Sequence, residues 1–227
     1  TGSDWAEQIV AELTNFRNVR LMTRTTIYGA YDHGVFGALE RATDHLRSSS
    51  GKPRQILWRI YCKHSLLCAG ATERPIAFAN NDRPGVMLAG AVRSYVNRYG
   101  VAPGKKVTVF TNNDDGWRTA SDLVAQGIHV RALIDVREGV HPPDITGTEV
   151  ITGSCVVDSS GRKKLSSVTL KDGRKISTDC LAVAGGWNPS VHLTCHQRGK
   201  PVWNEAILAF VPGGKLPWGM RVSGAAN

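Results

Sequence analysis

The run KVTVFTNNDDGWRTASDLVAQGIHVRALID, residues 106–135, leaves this chain few options. Lys106–Phe110 reads as an apolar strand, Asp115–Ala125 as a helix, Gly127 as its C-cap and Ile128–Asp135 as a second strand. Two strands separated by a helix of that length cannot form a hairpin. They must lie parallel, with a right-handed crossover. A parallel pair needs helices or other strands over both faces, so the expected class is α/β and Rossmann-like.

In such a unit the turn after the first strand carries the dinucleotide fingerprint G-x-G-x-x-G. Over Thr111–Gly116 only Gly116 fits it. The first two glycines let the backbone turn tightly and approach a pyrophosphate, and Thr and Asn carry a Cβ that prevents this. Asp114 and Asp115 also place negative charge at a helix N-terminus, where a phosphate would otherwise be attracted. Asp135 stands about 20 residues on, where a ribose-gripping acid belongs, without a loop to work with. The topology is that of a nucleotide domain, and the site is expected to be lost.

Along the rest of the chain, Asp4 with Glu7 makes a capping-box-like start, and Trp5, Ile9, Leu13 and Phe16 share one helical face over residues 4–16. Strand-like runs follow at Val19–Tyr31, Val35–Arg41 and Gln55–Cys62. A turn is expected at Asp32-His33-Gly34, a loop at Ser48–Pro53 and a short strand at Ser65–Cys68. Residues 84–100 read as a helix entered through Pro84-Gly85 and closed by Gly100. Residues 149–157, 164–170 and 180–184 read as strands, with a turn at Lys171–Arg174. The chain opens on a helix with no preceding strand and ends on a glycine-rich strand end with no following helix, so both ends are expected to be cut.

The composition, 41% hydrophobic and 21% charged, describes a folded soluble chain, and no tract is long and apolar enough to span a bilayer. No leader is visible at the start, and a cytoplasmic location is expected. Twenty-eight Lys and Arg against 19 Asp and Glu give a net charge of +9, which raises nucleic acid as a partner. The basic residues do not cluster. Lys105-Lys106, Arg162–Lys164 and Lys171–Lys175 fall at turns and strand edges and read as solvated faces, so no nucleic-acid partner is expected. Five cysteines, at 62, 68, 155, 180 and 195, form no C-x-x-C pair, which suits buried thiols in a reducing compartment better than disulfides or a metal site.

Three apolar strands end in small residues: Leu67–Ala71, Val183–Gly186 and Val222–Asn227. Small residues at a strand's carboxyl end let a ligand or another backbone come close. The first two flank the strand–helix–strand unit. That order suggests a dinucleotide-binding fold interrupted by a second one, with residues 1–100 and 181–227 in the first domain and 101–180 inserted.

Cys68–Leu88 (CAGATERPIAFANNDRPGVML) resembles the segment after the Ala-Thr-Gly-type turn in glutathione-reductase-like flavoproteins with two dinucleotide domains. Thr111–Ala120, Gly185–Leu193 (GGWNPSVHL) and Arg221–Asn227 (RVSGAAN) resemble the alpha subunit of heterotetrameric sarcosine oxidase. The resemblance runs from the meander at 23–33 to the last residue. It implies a partial FAD/NAD(P)-binding Rossmann-type fold that lacks its upstream G-x-G-x-x-G unit. It also implies part of an enzyme oxidising sarcosine to glycine with oxygen and tetrahydrofolate, forming hydrogen peroxide and methylene-tetrahydrofolate. The alpha subunit of that family binds NAD, FAD and FMN sit elsewhere in the complex, and tetrahydrofolate enters a domain outside this segment. Beta, gamma and delta subunits are the implied partners.

Residue by residue, the resemblance assigns Ile27 to the adenine, Ala69, Gly70 and Ala71 to the small-residue turn at the cofactor, and Gly224 and Ala225 to the strand end under the pyrophosphate. Pro142-Pro143 replaces a helix expected in this fold. Opine, amine and cyanide-forming oxidoreductase subunits share the ERP…NDRPGVML stretch, and a non-catalytic scaffold is a third reading. No catalytic set is legible: the seven histidines have no partner acid or nucleophile at a motif spacing. His192, inside GGWNPSVHL, is the one to test first, as a structural or interface residue.

Overall fold

A computed structural model describes residues 2–49 and 51–227. Ser50, in the expected loop 48–53, and Thr1, at the start of the expected first domain, lie outside the described residues. The chain opens with α1 (Gly2–Thr14), the strands β1 (Thr25–Tyr31), β2 (Val35–Glu40), β3 (Ile56–Tyr61) and β4 (Ser65–Leu67). Next come β5 (Ala71–Glu73), β6 (Val86–Leu88), α2 (Ala89–Tyr99), β7 (Val107–Thr111), α3 (Asp114–Ala125), β8 (Val130–Asp135) and β9 (Glu149–Thr152). Then follow β10 (Val156–Ser160), β11 (Ser167–Leu170), β12 (Lys175–Ser177), β13 (Cys180–Ala184) and β14 (Trp187–Pro189). The last strands are β15 (Val202–Asn204), β16 (Ala209–Val211) and β17 (Met220–Val222).

These elements form two units, an outer one of residues 1–70 with 189–227 and an inner one of residues 71–188. The inner unit is built on a five-stranded sheet in the order β6-β13-β7-β8-β9, all parallel. Its central strands VTVFT and CLAVA are buried at every position, as strands covered on both faces must be. Alternation then sorts the side chains. Val107, Val109, Ala182 and Ala184 pack with Ala89, Val92, Ala120 and Leu123 of the two helices. Phe110, Ile134, Leu181 and Val183 point the other way, onto Val156, Val168, Leu170 and Ile176 of the antiparallel sheet β10-β11-β12. The parallel strands of the 106–135 unit are therefore found as expected, paired from Val107↔Val130 to Thr111↔Asp135.

The inner unit starts at 71 and ends at 188, whereas the sequence suggests 101 and 180. Val86–Leu88 are read from sequence as the start of a helix. These three residues are the edge strand β6, held on β13 in the register Leu181↔Val86, and α2 begins only at Ala89. The helix still ends as expected. Gly100 takes φ 63°, and Gly100 and Val101 donate to the carbonyls of Val96 and Tyr95 at 3.1 and 3.0 Å.

The outer unit carries an antiparallel meander β1-β2-β3, a two-stranded parallel sheet β4-β17 and a hairpin β15-β16. The expected strand 19–31 is shorter, beginning at Thr25, because its partner β2 has only six residues and ends opposite it at Glu40. The turn at 32–34 is tight: His33 and Gly34 take φ of 62° and 70°, and a Cβ on Gly34 would run into the Cys62 carbonyl. The core is small, with Ala30, Phe36 and Met220 buried among Ile60, Cys62, Leu67, Leu193 and Leu216. On α1 the expected apolar face is covered only in part. Ile9 and Leu13 are half-buried, while Trp5 is 65% exposed.

The cysteines depart from expectation as well. All are free, and only Cys180 is buried, its thiol pushed up to about 12 by desolvation and the nearby Asp179 carboxylate. Cys68 is exposed, because β4 ends one residue before it.

Candidate functional site

β4 and β17 run side by side in the register Ser65↔Met220, Leu66↔Arg221, Leu67↔Val222. The Ser223 N–H continues the ladder, donating to the Leu67 carbonyl at 3.0 Å. The two parallel strands thus release their small residues at the same end, Ala69-Gly70 after β4 and Gly224-Ala225 after β17. Gly70 and Gly224 take φ of +69° and +68°, left-handed backbone that glycine adopts without strain. A Cβ built on either meets nothing within 4 Å, so both face open space at the carboxyl edge of the sheet. That is the place where α/β sheets take their ligands. The Gly70 carbonyl accepts the Ser190 N–H at 2.9 Å, and Ala226 is fully buried, which fixes the two turns.

Ile27 lies on β1 and lines an apolar cavity of about 210 Å³ with Phe36, Ile60, Leu67, Leu193 and Met220. It therefore meets the bodies of β4 and β17; the four small residues at their ends do not line this cavity. Ala71 opens β5 in the inner unit. Of the six residues singled out in the sequence, the structure gathers Ala69, Gly70, Gly224 and Ala225 at one sheet edge and sets Ile27 against the same strands.

The corresponding edge of the inner unit is filled by the protein itself. Asp135 is completely buried, and both of its oxygens are used. Oδ1 accepts from the Arg137 N–H at 2.9 Å and its Nε at 3.1 Å. Oδ2 accepts from Trp117 Nε1 at 2.7 Å and Arg137 Nη2 at 2.8 Å. A carboxylate has about four acceptor positions, so none is left for a ribose hydroxyl. The Arg137 guanidinium also pairs with Asp114 at 2.8 Å and lies 4.7 Å from the Trp117 ring centroid. Its hydrogen bonds to Asp135, ahead of that to Asp114, hold it protonated even beyond the usual arginine range.

The turn before α3 is closed in the same way. Asn113 caps the helix by accepting the Asp115 N–H at 2.9 Å, and its own amide donates to the Ala184 carbonyl at 3.0 Å. Gly116, the one glycine kept from the fingerprint, allows close helix-to-strand packing, since a Cβ there would sit 2.3 Å from Thr111 Cβ. Asp135 was visible in the sequence, whereas Trp117 and Arg137 were not. The available signal was an arginine two residues beyond the acid.

A second buried carboxylate, Glu73, also escaped notice. It sits at the N-terminus of α2, where its Oε2 accepts the Gly90 N–H at 2.8 Å and its Oε1 is buried with no hydrogen-bond partner. Burial raises its carboxyl above the usual range, the Gly90 N–H opposes this, and nearby Asp115 adds to the rise. Trp187 of the GGWNPSVHL segment donates to Asp115 at 3.2 Å. Arg93 pairs with Asp122 at 2.7 Å and with Asp115 at 3.4 Å. Among the histidines, His192 opens a short 3-10 turn and His196 accepts the Ala30 N–H through Nδ1 at 3.2 Å, a structural contact. Among the described residues no group of three or more His, Cys, Asp or Glu side chains could hold a metal ion.

No protein-family model matches the chain. The chain is 42% identical over 228 residues to the sarcosine oxidase subunit alpha of Rhizobium meliloti (strain 1021), covering 99% of itself and 23% of that relative. It is 43% identical over 225 residues to that of Corynebacterium sp. (strain P-1), covering 92% of itself and 23% of the relative. The chain thus spans about a quarter of the length of the curated relatives it matches.

Among solved structures it resembles L-proline dehydrogenase from P. horikoshii with a TM-score of 0.70 and 22% identity, over 97% of this chain and 40% of that one. It resembles T. acidophilum thioredoxin reductase with a TM-score of 0.64 and 15% identity, over 100% of this chain and 72% of that one. The fold is accordingly the FAD/NAD(P)-binding, glutathione-reductase-like Rossmann type, present in part. Over nearly its whole length, the chain belongs with one segment of the sarcosine oxidase alpha-subunit family.

Proposed function

We propose that this chain is the middle part of an alpha subunit of a sarcosine oxidase, a multi-subunit flavoenzyme, and that its outer unit holds NAD. The carrying observation is the pair of open glycine turns, Gly70 and Gly224, at the shared carboxyl edge of β4 and β17. The residues fit a pyrophosphate: both turns offer backbone without side-chain obstruction, and Ala69 and Ala225 keep the approach small. Ile27 supplies apolar surface beside the same strands for a base. Ala71 extends the turn on the chain. The outer unit is then the first nucleotide domain and the inner unit a second one serving as scaffold, because its Asp135 is committed to Trp117 and Arg137.

NAD bound there has a structural role, and the chemistry belongs to flavins elsewhere in the complex. On this reading the complete enzyme oxidises sarcosine to glycine with oxygen as acceptor, and passes the one-carbon unit to tetrahydrofolate in a domain outside this segment. FAD, FMN and the beta, gamma and delta partners belong to the assembly, in the cytoplasm. The 40–43% identity to sarcosine oxidase alpha subunits favours sarcosine over opine or cyanide chemistry.

The test is to denature the purified full-length protein and its assembly and to quantify the released nucleotides by chromatography. Stoichiometric NAD, lost in Gly224→Val, with sarcosine-dependent oxygen uptake by the assembly, is the expected result. Absence of NAD from a protein that oxidises sarcosine would remove the nucleotide site. Oxygen uptake with an opine and none with sarcosine would remove the substrate assignment.

A further inference from the structure

The two-stranded ribbon β5-β14 carries the chain into and out of the inner unit, which runs from Ala71 to Asn188. Arg74 extends its ladder: the Arg74 N–H donates to the Gly186 carbonyl at 2.8 Å, and the Arg74 carbonyl accepts the Gly185 N–H at 2.9 Å. At the other end the Gly70 turn joins it, accepting the Ser190 N–H at 2.9 Å. Each strand of the ribbon has one side chain that holds it to a helix. Trp187 of β14 donates to Asp115 of α3, and Glu73, the last residue of β5, accepts the Gly90 N–H in the first turn of α2.

The second of these holds depends on a proton. Glu73 is only 8% exposed, and its Oε1 is buried without a partner, so a single N–H serves a group with about four acceptor positions. A carboxylate so sparsely hydrogen-bonded is costly away from water, whereas the neutral acid has far less charge to solvate. The charged neighbours do not reverse this. Arg93 on α2 is paired with Asp122 and Asp115, Asp115 on α3 is a like charge, and β14 presents the uncharged Trp187. Arg74, next along the chain, lies with its guanidinium against Gly186. Glu73 is the buried position of β5, so its carboxylate reaches water only when β5 lifts from α2.

We propose that Glu73 is a proton-operated latch on the ribbon: as the neutral acid it keeps β5 seated on α2, and as the carboxylate it is drawn to water and lets the ribbon open. Because Gly70 directly precedes β5, opening also loosens the glycine turn and with it the hold on NAD, a consequence that rests on the nucleotide reading above.

The test is hydrogen exchange of the full-length protein from pH 4.5 to 8, read by mass spectrometry and corrected for the intrinsic pH dependence of amide exchange. The closed form binds the proton more tightly than the open one. Protection at 71–74 and 185–190 is therefore expected to fall about tenfold per pH unit between the ordinary carboxyl value and the raised one, and to level off above it. Glu73→Gln, neutral at every pH, is expected to abolish the fall, and Asp115→Asn, which removes the opposing charge, to narrow its span. Bound NAD is expected to leave faster over the same span. Ribbon protection that ignores pH, or a fall retained in Glu73→Gln, would overturn the latch. So would an equal fall in β7 and β13, which would mean that the whole inner sheet unfolds. NAD release that ignores pH while the ribbon opens would overturn the link to the nucleotide. A protein without NAD at any pH would strike the nucleotide reading instead, and exchange would still decide the latch.

Discussion

Asp135→Asn probes the claim that the inner unit's nucleotide edge is closed by its own side chains. The aspartate has no exposed surface and accepts four hydrogen bonds, three of them from Arg137 and one from Trp117. Asparagine keeps the volume but replaces one accepting oxygen by an NH2. Whichever way the amide turns, a donor then faces Trp117 Nε1 or the Arg137 nitrogens. Breaking one side of a buried ion pair costs about 3–5 kcal/mol. The Arg137 side chain keeps 31% of its surface in water and a second partner in Asp114, so the lower end applies, about 3 kcal/mol. For a unit of this size that corresponds to a fall in Tm of about 10 °C.

The assay is chemical denaturation of Asp135→Asn, Arg137→Met and the double variant, followed through far-ultraviolet circular dichroism. A coupling energy of about 2 kcal/mol is expected, because the two side chains act as one group. A loss below about 1 kcal/mol with no coupling would show that Asp135 is not committed to Arg137. In that case NAD should stabilise the wild-type protein but not Asp135→Asn, and the assignment of the nucleotide to the outer unit would fall with it.

Gly116→Ala forces a Cβ against Thr111 and should cost about 1–3 kcal/mol, seen as a lowered denaturation midpoint. Glu73 binds its proton more tightly in the folded state than in the unfolded one, so its contribution is fully present below the unfolded carboxyl value and is lost as pH rises through the raised one. Glu73→Gln should therefore flatten the decline of stability with pH in that window, measured by urea denaturation from pH 4 to 7. Native thiol labelling should modify Cys68 first and spare Cys180 until unfolding, and bound NAD should slow the reaction of Cys68, two residues from Gly70. Gly224→Val places a β-branched residue at φ +68° and should lower NAD content with a stability loss of about 1–2 kcal/mol.

Much of the fold was legible because it is written in local periodicity. The 106–135 unit shows two apolar runs around a helix with its own C-cap glycine, and no other arrangement buries both runs. The small residues at 69–70 and 224–225 were legible for a related reason, as breaks where apolar strands stop. Val86–Leu88 was not legible, because three residues leading into a helix carry no period of their own. Their state is decided by hydrogen bonds to β13, nearly a hundred residues away.

The fate of the two candidate nucleotide edges divides along the same line. From the sequence alone it follows that the inner unit lacks two fingerprint glycines and carries two carboxylates at its helix start, since both statements concern adjacent residues. Only the tertiary structure decides that Asp135 is saturated by Trp117 and Arg137, that Gly70 and Gly224 open at one edge, and that Trp203 and Phe210 meet edge to face across their ladder. Each of these depends on which side chains meet across strands and helices. Burial and hydrogen bonding are properties of that meeting, and neighbours in the chain do not set them.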